Sequence, residues 1–361
     1  MNALNITEDY VRVDEFRQAW ETIKQERPHI RIREAAGLLN ISEAQLLATG
    51  IGPDCIRLEG DWAKFVQRWK ELGYVMSLTR NEGCVLEHKG TFDEINFFGG
   101  GSHRMGTVIG PIETRIFLKS WQVAFAVRQE MKGRTLESIQ VFDKAGEAIT
   151  KIYLQRKSNR DAYLQLIEDF KSENQTPEQA ICLPETPEYN KNIDKEAFLS
   201  DWEQLKDTHS FFPMLRKHKA ARLHAVQLAE GVFTQRIQLD AIQGLLEDAA
   251  KLEMPIMIFA GNRGNLQIHQ DRVNKIVYME RGENPVNQWL NVLDPTFNMH
   301  LRMDLLETAW VVQKPTSDGL VTSIELFDKE GTLIVQFFGL RKPGEPQRQD
   351  WEALVEELPR I

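Results

Sequence analysis

The sequence repeats itself at a distance of about half its length. Val141-Phe142-Asp143-Lys144-Ala145-Gly146 returns as Leu326-Phe327-Asp328-Lys329-Glu330-Gly331, a shift of 327 − 142 = 185 residues. Upstream, Phe16-Arg17-Gln18-Ala19-Trp20-Glu21 returns as Phe198-Leu199-Ser200-Asp201-Trp202-Glu203, a shift of 202 − 20 = 182. Stacked repeat architectures use units of roughly 20–50 residues, so copies this long mean two related domains and not a solenoid. A chain of 361 residues has room for both. A tandem pair is expected to form a cleft between unequal copies, and function is to be sought in what one copy carries and the other lacks.

Composition narrows the classes. With 42% hydrophobic and 27% charged residues the chain can bury a core in water. No stretch approaches the roughly 20 apolar residues that span a bilayer, and no membrane insertion is expected. Met1-Asn2-Ala3-Leu4 opens no basic segment followed by an apolar one, so no secretory signal is read. Cys55, Cys84 and Cys182 are odd in number and unpaired in spacing, which points to a reducing cytoplasm and not to a disulfide framework. A net charge of −9 opposes general binding to nucleic acid or anionic membranes.

The order of elements also repeats. Residues 12–48 read as helical, with Phe16, Trp20 and Ile23 at helical spacing. Ser42 is the expected N-cap of the second helix of a helix–turn–helix-like hairpin, with Gln45 completing a capping box. From about 74 to 157 the texture is that of strands, including Thr114–Leu118 and Trp121–Val127, with a hairpin turn at Phe142–Gly146. A helix follows around Asp161–Lys171. The second copy gives helices over about 195–252, strands over about 256–340 and a last amphipathic helix Asp350–Glu357. The predicted organisation is an N-terminal repeat domain 1–173, a Pro-containing linker 174–194 and a C-terminal repeat domain 195–361. The fold class is α+β: a tandem duplication of a large antiparallel sheet with flanking helices.

The copies differ at one place above all. Trp202 to Ala220-Ala221 is 18 residues, whereas Trp20 to Ala35-Ala36 is 15. The three extra residues fall around Asp207-Thr208-His209-Ser210-Phe211-Phe212-Pro213, giving this copy alone a histidine beside two aromatics. Under the 185-residue shift Arg115 corresponds to His300, and strand alternation puts Arg115 on one face with Glu113 and Phe117. Other chemistry is weaker. His218 and His224, six apart, point to different sides of a helix, and no zinc spacing is present. The hairpin over 31–48 offers no Lys or Arg for a DNA groove. Gly99-Gly100-Gly101-Ser102-His103-Arg104 lacks the lysine–serine ending of a phosphate loop and reads as a loop. By itself His209 reads as an ordinary packed or surface residue. A flat iron-containing ligand would change that, since haem needs an imidazole, apolar walls and cations, and Arg216, Lys217 and Arg222 follow the histidine.

Several segments then point one way: Asp207–Phe212, Gly261-Asn262-Arg263-Gly264, Asn298-Met299-His300-Leu301, Lys314-Pro315-Thr316-Ser317-Asp318-Gly319, Glu113–Phe117 and Phe338-Gly339-Leu340-Arg341. In this order they resemble the bacterial cytoplasmic haem-utilisation proteins of the haemin-degrading factor (HemS/ChuS-like) family, through nearly the whole chain. The resemblance implies two similar halves with one haem b bound in the cleft between them. It implies that His209 is the proximal iron ligand and Arg115 the distal, catalytic arginine. Arg222, Lys314, Gln336 and Arg341 would be the polar residues at the propionates and haem edge, and Phe117, Phe259 and Phe338 the apolar walls. Ser210 follows His209 where some family members with a trafficking role carry a further histidine. The implied function is a cytoplasmic haem-binding protein of iron acquisition that degrades haem in a haem-oxygenase-like reaction, using oxygen or peroxide and an external reductant and releasing iron. Two other readings stay open: a haem carrier that delivers to a separate haem oxygenase, and a duplicated scaffold or regulator without haem. Implied partners are haem, an electron-donor reductase, a haem importer or a haem oxygenase.

Overall fold

The computed structural model describes residues 6–101, 104–131, 133–184, 187–282, 287–342 and 344–361, with side chains from residue 12 onward apart from Met131. The chain forms two compact units: Met1–Thr79 with Lys89–Glu185 and Asn262–Leu266, and Arg80–His88 with Thr186–Gly261 and Gln267–Ile361. Here the structure departs from a single cut at the expected linker. Residues 80–88 join the second unit because Cys84–His88 pairs antiparallel with Phe297–Leu301. Residues 262–266 join the first because Asn262 donates to the Ile149 carbonyl (2.9 Å) and Gly264 accepts from the Phe117 amide (3.0 Å). The two exchanged segments begin alike, Asn81-Glu82-Gly83 and Asn262-Arg263-Gly264. Each asparagine takes amide protons from its own tight turn onto Oδ1 and donates Nδ2 to carbonyls of the unit it joins, Asn81 to Gly261 (3.1 Å) and Ile334 (2.7 Å).

In the first unit the antiparallel strands lie in the order Cys55–Leu58, Trp121–Met131, Arg134–Asp143, Ala148–Ser158, Gly73–Arg80. Helix Arg160–Phe170 begins where Asn159 accepts the Ala162 amide, and it buries Tyr163, Leu166 and Ile167, spaced to share one face. These join Phe65, Trp69 and Trp121 in one core. Each such side chain contributes on the order of 1.5–3 kcal/mol relative to exposure. The hairpin turn is as the sequence predicts: Asp143 Oδ1 accepts the Ala145 and Glu147 amides, and Gly146 takes φ +80. Asp328 and Gly331 repeat both features. The capping box of Ser42 and Gln45 is present. Helix Glu43–Ala48 is buried along most of its length, with Glu43 ion-paired to Lys151, so it is a packing element and presents no groove-reading face.

In the second unit the order is Thr234–Ile237, Leu306–Thr316, Gly319–Asp328, Leu333–Gly339, Ile256–Gly261. Strand Thr234–Ile237 lies inside a stretch expected to be helical, because it completes the sheet edge by pairing with Ala309–Val312. Strand alternation divides this sheet's contacts. Ala309 and Val311 face the helices Ala241–Lys251 and Gln349–Glu356, whereas Trp310 and Val312 face a second cluster around Trp202 and Phe211. Trp202 anchors that layer by donating to the Gln313 carbonyl (2.9 Å) and meeting the Phe211 ring edge-on at 4.7 Å.

The same unit buries a histidine pair. His88 Nδ1 accepts from Gln267 (2.8 Å), so its Nε2 donates to His269 Nδ1 (3.3 Å), and the His269 ring stacks on Phe297 at 3.7 Å. Burial pushes His88 well below its ordinary value and His269 down to about 4. Unfolding frees both rings to protonate from about pH 6.5 downward. Stability is therefore complete above that value and is lost as the pH falls toward 4. The thermal midpoint should fall across this window, and His269→Phe should reduce the slope. A midpoint flat from pH 6.5 to 4 would show that the pair does not resist protonation.

Candidate functional site

The three residues that only the second copy carries form a short 3-10 turn, Thr208–Ser210. Asp207 caps it: Oδ1 accepts the His209 amide (2.7 Å) and also lies 2.7 Å from the His209 ring Nδ1. These two bonds, the backbone one first, hold the Asp207 carboxyl below its usual range, with the nearby Arg341 charge adding to the effect. An ionised acceptor at Nδ1 assigns the proton to that nitrogen and leaves the lone pair on Nε2. The imidazole side chain is 93% exposed. This is the posture of a histidine ligand whose orientation is set by a carboxylate behind it. Asp207, two positions before the ligand candidate, is a candidate site residue to which the sequence reading gave no role. The signal was an N-cap residue inside the quoted motif.

Around the turn, Phe211 is buried and Phe212 is 58% exposed. The loop Thr316–Gly319 closes against it through the Ser317 amide and Lys206 carbonyl (3.0 Å), and Arg341 reaches Asp318 across 3.3 Å. Phe259 and Phe338 meet edge to face at 5.1 Å, both half-buried, on the sheet face that also carries Gln336.

Three of the polar residues expected at a ligand edge converge on one carboxylate, Glu325. Arg222 engages Glu325 with both arms of its fork (2.8 and 2.7 Å), Lys314 Nζ lies 2.8 Å from Glu325 Oε1, and Gln336 donates to the same oxygen (2.9 Å). Glu325 is fully buried and Lys314 is 3% exposed. Burial alone pushes the Glu325 carboxyl up, but the Arg222 and Lys314 charges outweigh it and leave it ionised. Lys314 is shifted down by its own burial and by Arg222, against the pull of Glu325. In this geometry Lys314 is a counter-ion to a protein carboxylate. Arg222 and Gln336 are committed to the same acceptor. Glu325 was missed because a single acidic residue in a strand reads as a solvent-facing position.

In the first unit, the strands Glu94–Phe98, Met105–Ile109 and Glu113–Phe117 form an antiparallel face in register. Asn96, Thr107 and Arg115 make one cross-strand row, and Phe98, Met105 and Phe117 the next. Arg115 shares its face with Glu113 and Phe117 as alternation predicts, and it is ion-paired to Glu113 at 2.7 Å. Phe98 and Met105, 57% and 51% exposed, extend the apolar row beyond Phe117 and were missed in the sequence. Exposed large apolar side chains beside a cation mark a ligand face. His300, Arg115's counterpart, is held in the second unit by the Asn291 amide oxygen (2.7 Å). Ser102 and His103 of the glycine loop lie outside the described residues. Among the described residues no group of three or more His, Cys, Asp or Glu is arranged to hold a metal ion, and no helix is long and apolar enough to cross a membrane.

The model of the haemin-degrading HemS/ChuX domain matches residues 40–170 and again residues 219–358. The hemin transport protein HmuS of Yersinia pestis is 30% identical over 343 residues, covering 94% of this chain and 96% of that protein. The structure of holo-PhuS, a heme-binding protein from Pseudomonas aeruginosa, superposes with a TM-score of 0.90 at 41% identity, covering 97% of this chain and 99% of that one. ChuS, described as an E. coli heme oxygenase, superposes with a TM-score of 0.83 at 32% identity, covering 95% and 99%. A duplicated α+β fold with large antiparallel sheets is common to this chain and these structures.

The Asp207–His209 pair is open to direct measurement. The Asp207 carboxyl should titrate below the ordinary aspartate value of about 3.9. His209→Ala removes the ring bond and should move it upward, because only the backbone donor remains. The same midpoint in both proteins would mean that the ring bond is absent in solution.

Proposed function

The chain belongs to the haemin-degrading HemS/ChuX family, and from that premise we propose that it is a cytoplasmic protein of iron acquisition that binds one haem through His209 and degrades it. The observation that carries the reading is the exposed His209 imidazole whose Nδ1 is taken by Asp207, so that Nε2 presents a donor pair to iron. Haem as substrate supplies the iron and the macrocycle at which oxygen chemistry takes place. His209 binds, and Asp207 orients it and fixes its tautomer. The Arg115 guanidinium is a hydrogen-bond donor that stabilises negative charge and offers no acceptor for a proton. Within the first unit Phe98, Met105 and Phe117 form an apolar row, and within the second Phe212, Phe259 and Phe338 are partly exposed; each set is surface of the kind a flat ligand packs on. Arg341 is a cation for a ligand carboxylate once it exchanges Asp318. Electrons come from an external reductase. In support of the cytoplasm, Cys55 and Cys84 are buried free thiols.

A haem carrier is the second reading, favoured by the hemin transport names of the curated relatives. Turnover separates the two. The complex is reduced with ascorbate or a reductase under air, with and without catalase, and the tetrapyrrole product and released iron are measured. Product that persists with catalase supports degradation, whereas bleaching that catalase abolishes supports the carrier. One equivalent of haemin should shift the Soret band, and no shift would remove both readings.

Asp207→Ala should weaken haem affinity about 10–100-fold, the usual effect of removing a partner behind a metal ligand. His209→Ala should reorganise the ferric spectrum, and an unchanged spectrum would mean that another residue ligates. Arg115→Ala should retain haem, change the spectrum of the distal side and slow degradation. Equal rates would leave Arg115 as wall alone.

A further inference from the structure

Glu325 is the acceptor for more of the unit than any other residue of the candidate site. Oε1 takes hydrogen bonds from Arg222, Lys314, Ser323 and Gln336, and Oε2 takes a second from Arg222. One buried carboxylate is set against two cations, and those cations flank one ring. Lys314 Nζ lies 4.8 Å and Arg222 Cζ 5.1 Å from the Phe211 centroid, with Arg222 also 5.3 Å from Phe212. Cations at these distances are drawn to the aromatic quadrupole. Phe211 in turn belongs to the ligand turn: its amide closes the turn on the Thr208 carbonyl, and its ring is fully buried against Trp202.

The first copy shows that the strand does not need the charge. Ser138-Ile139-Gln140-Val141-Phe142 matches Ser323-Ile324-Glu325-Leu326-Phe327, so the counterpart of Glu325 is Gln140 (325 − 185). Gln140 is equally buried and donates to Ser138 Oγ at 3.1 Å. The counterparts of Lys314 and Arg222 are Gln129 (314 − 185) and Gly37 (222 − 185). At this position the strand thus packs without a carboxylate, while its cross-strand neighbour Lys151, the counterpart of Gln336 (336 − 185), is ion-paired to the buried Glu43. The arrangement of one strand carboxylate between Arg222 and Lys314 occurs in the copy that carries the Asp207–Pro213 insertion, whereas the other copy holds the buried Lys151–Glu43 pair beside Gln140.

We infer that Glu325 is the positioning residue of the His209 turn: it clamps Arg222 and Lys314 against Phe211, and Phe211 fixes the turn that presents the imidazole. The consequence for iron ligation rests on the haem reading above; the clamp itself exists in the ligand-free protein. Without the carboxylate, two like charges are left side by side with a weaker shared acceptor. The ring packed against them then loses its fixed seat, and His209 loses its fixed direction.

The test is Glu325→Gln, which installs the first copy's residue in the full chain, read by amide exchange and haem spectroscopy. In the ligand-free protein the Ser210 and Phe211 amides should exchange at least about tenfold faster than in wild type, while those of Ala241–Lys251, on the other side of the sheet, keep their rates. Ferric haem should show mixed axial ligation that added imidazole restores to the wild-type spectrum, and Glu325→Asp should recover most of both properties. Wild-type exchange and ligation in Glu325→Gln would overturn the inference. So would faster exchange throughout the unit with unchanged ligation, the mark of a merely structural residue. If Glu325→Gln does not fold, Phe211→Leu keeps the ion cluster and cuts its link to the turn. It must show the same local exchange and spectral change, and wild-type behaviour in it also overturns the inference. If wild-type protein gives no haem spectrum, the haem reading fails while the exchange measurement still decides the clamp.

Discussion

A carboxylate sealed from water has to be balanced in place, and the second unit is organised around that requirement. Removing one charged group from water costs several kcal/mol even after relaxation, and the cost is offset only by close, well-directed partners. Glu325 meets it with a bidentate arginine, a lysine, a hydroxyl and an amide. Those partners come from three neighbouring strands and from helix Arg222–Leu228, so the requirement ties the sheet to the helical layer above it. Apolar packing around Trp202 fills the same interface but lacks direction, whereas the ion cluster admits one arrangement.

The other important carboxylate works under opposite conditions. Asp207 is mostly exposed and bonds to a histidine that is almost wholly exposed, so water screens the pair and it adds little to stability. Its effect is on orientation and proton placement. Glu325 lies inside the scaffold and Asp207 at its surface, and Phe211 adjoins both the ion cluster and the turn that Asp207 caps. Exposure of the imidazole would be wasteful in a structural residue. It is what a ligand for an incoming metal requires.

Much of this was legible in the sequence. The repeat gave two related halves, the Asp-Lys-x-Gly turns gave the hairpins, and the three-residue difference between copies pointed to His209. Alternation put Arg115 on a face with Phe117. What could not be read was anything set by pairing between distant segments. Glu325 looks like any acidic residue in a strand until Arg222 and Lys314, 103 and 11 residues away, are seen to close on it. Phe98 and Met105 become neighbours of Phe117 only through strand register. The strand Thr234–Ile237 is too short for its own periodicity and exists because Leu306–Thr316 offers it an edge.

The exchanged segments have a consequence for how such a protein can change. Each compact unit contains a piece encoded in the other half of the sequence, 80–88 in one case and 262–266 in the other. Asn81 and Asn262 fasten those pieces by bonds to main-chain carbonyls, which tolerate drift in side chains but not loss of the segment. A chain cut at the linker would leave both halves incomplete, so neither copy is any longer a module that can be inherited, lost or shuffled alone. Each half is thus completed by a segment of the other, which ties the two copies together while leaving their side chains free to differ.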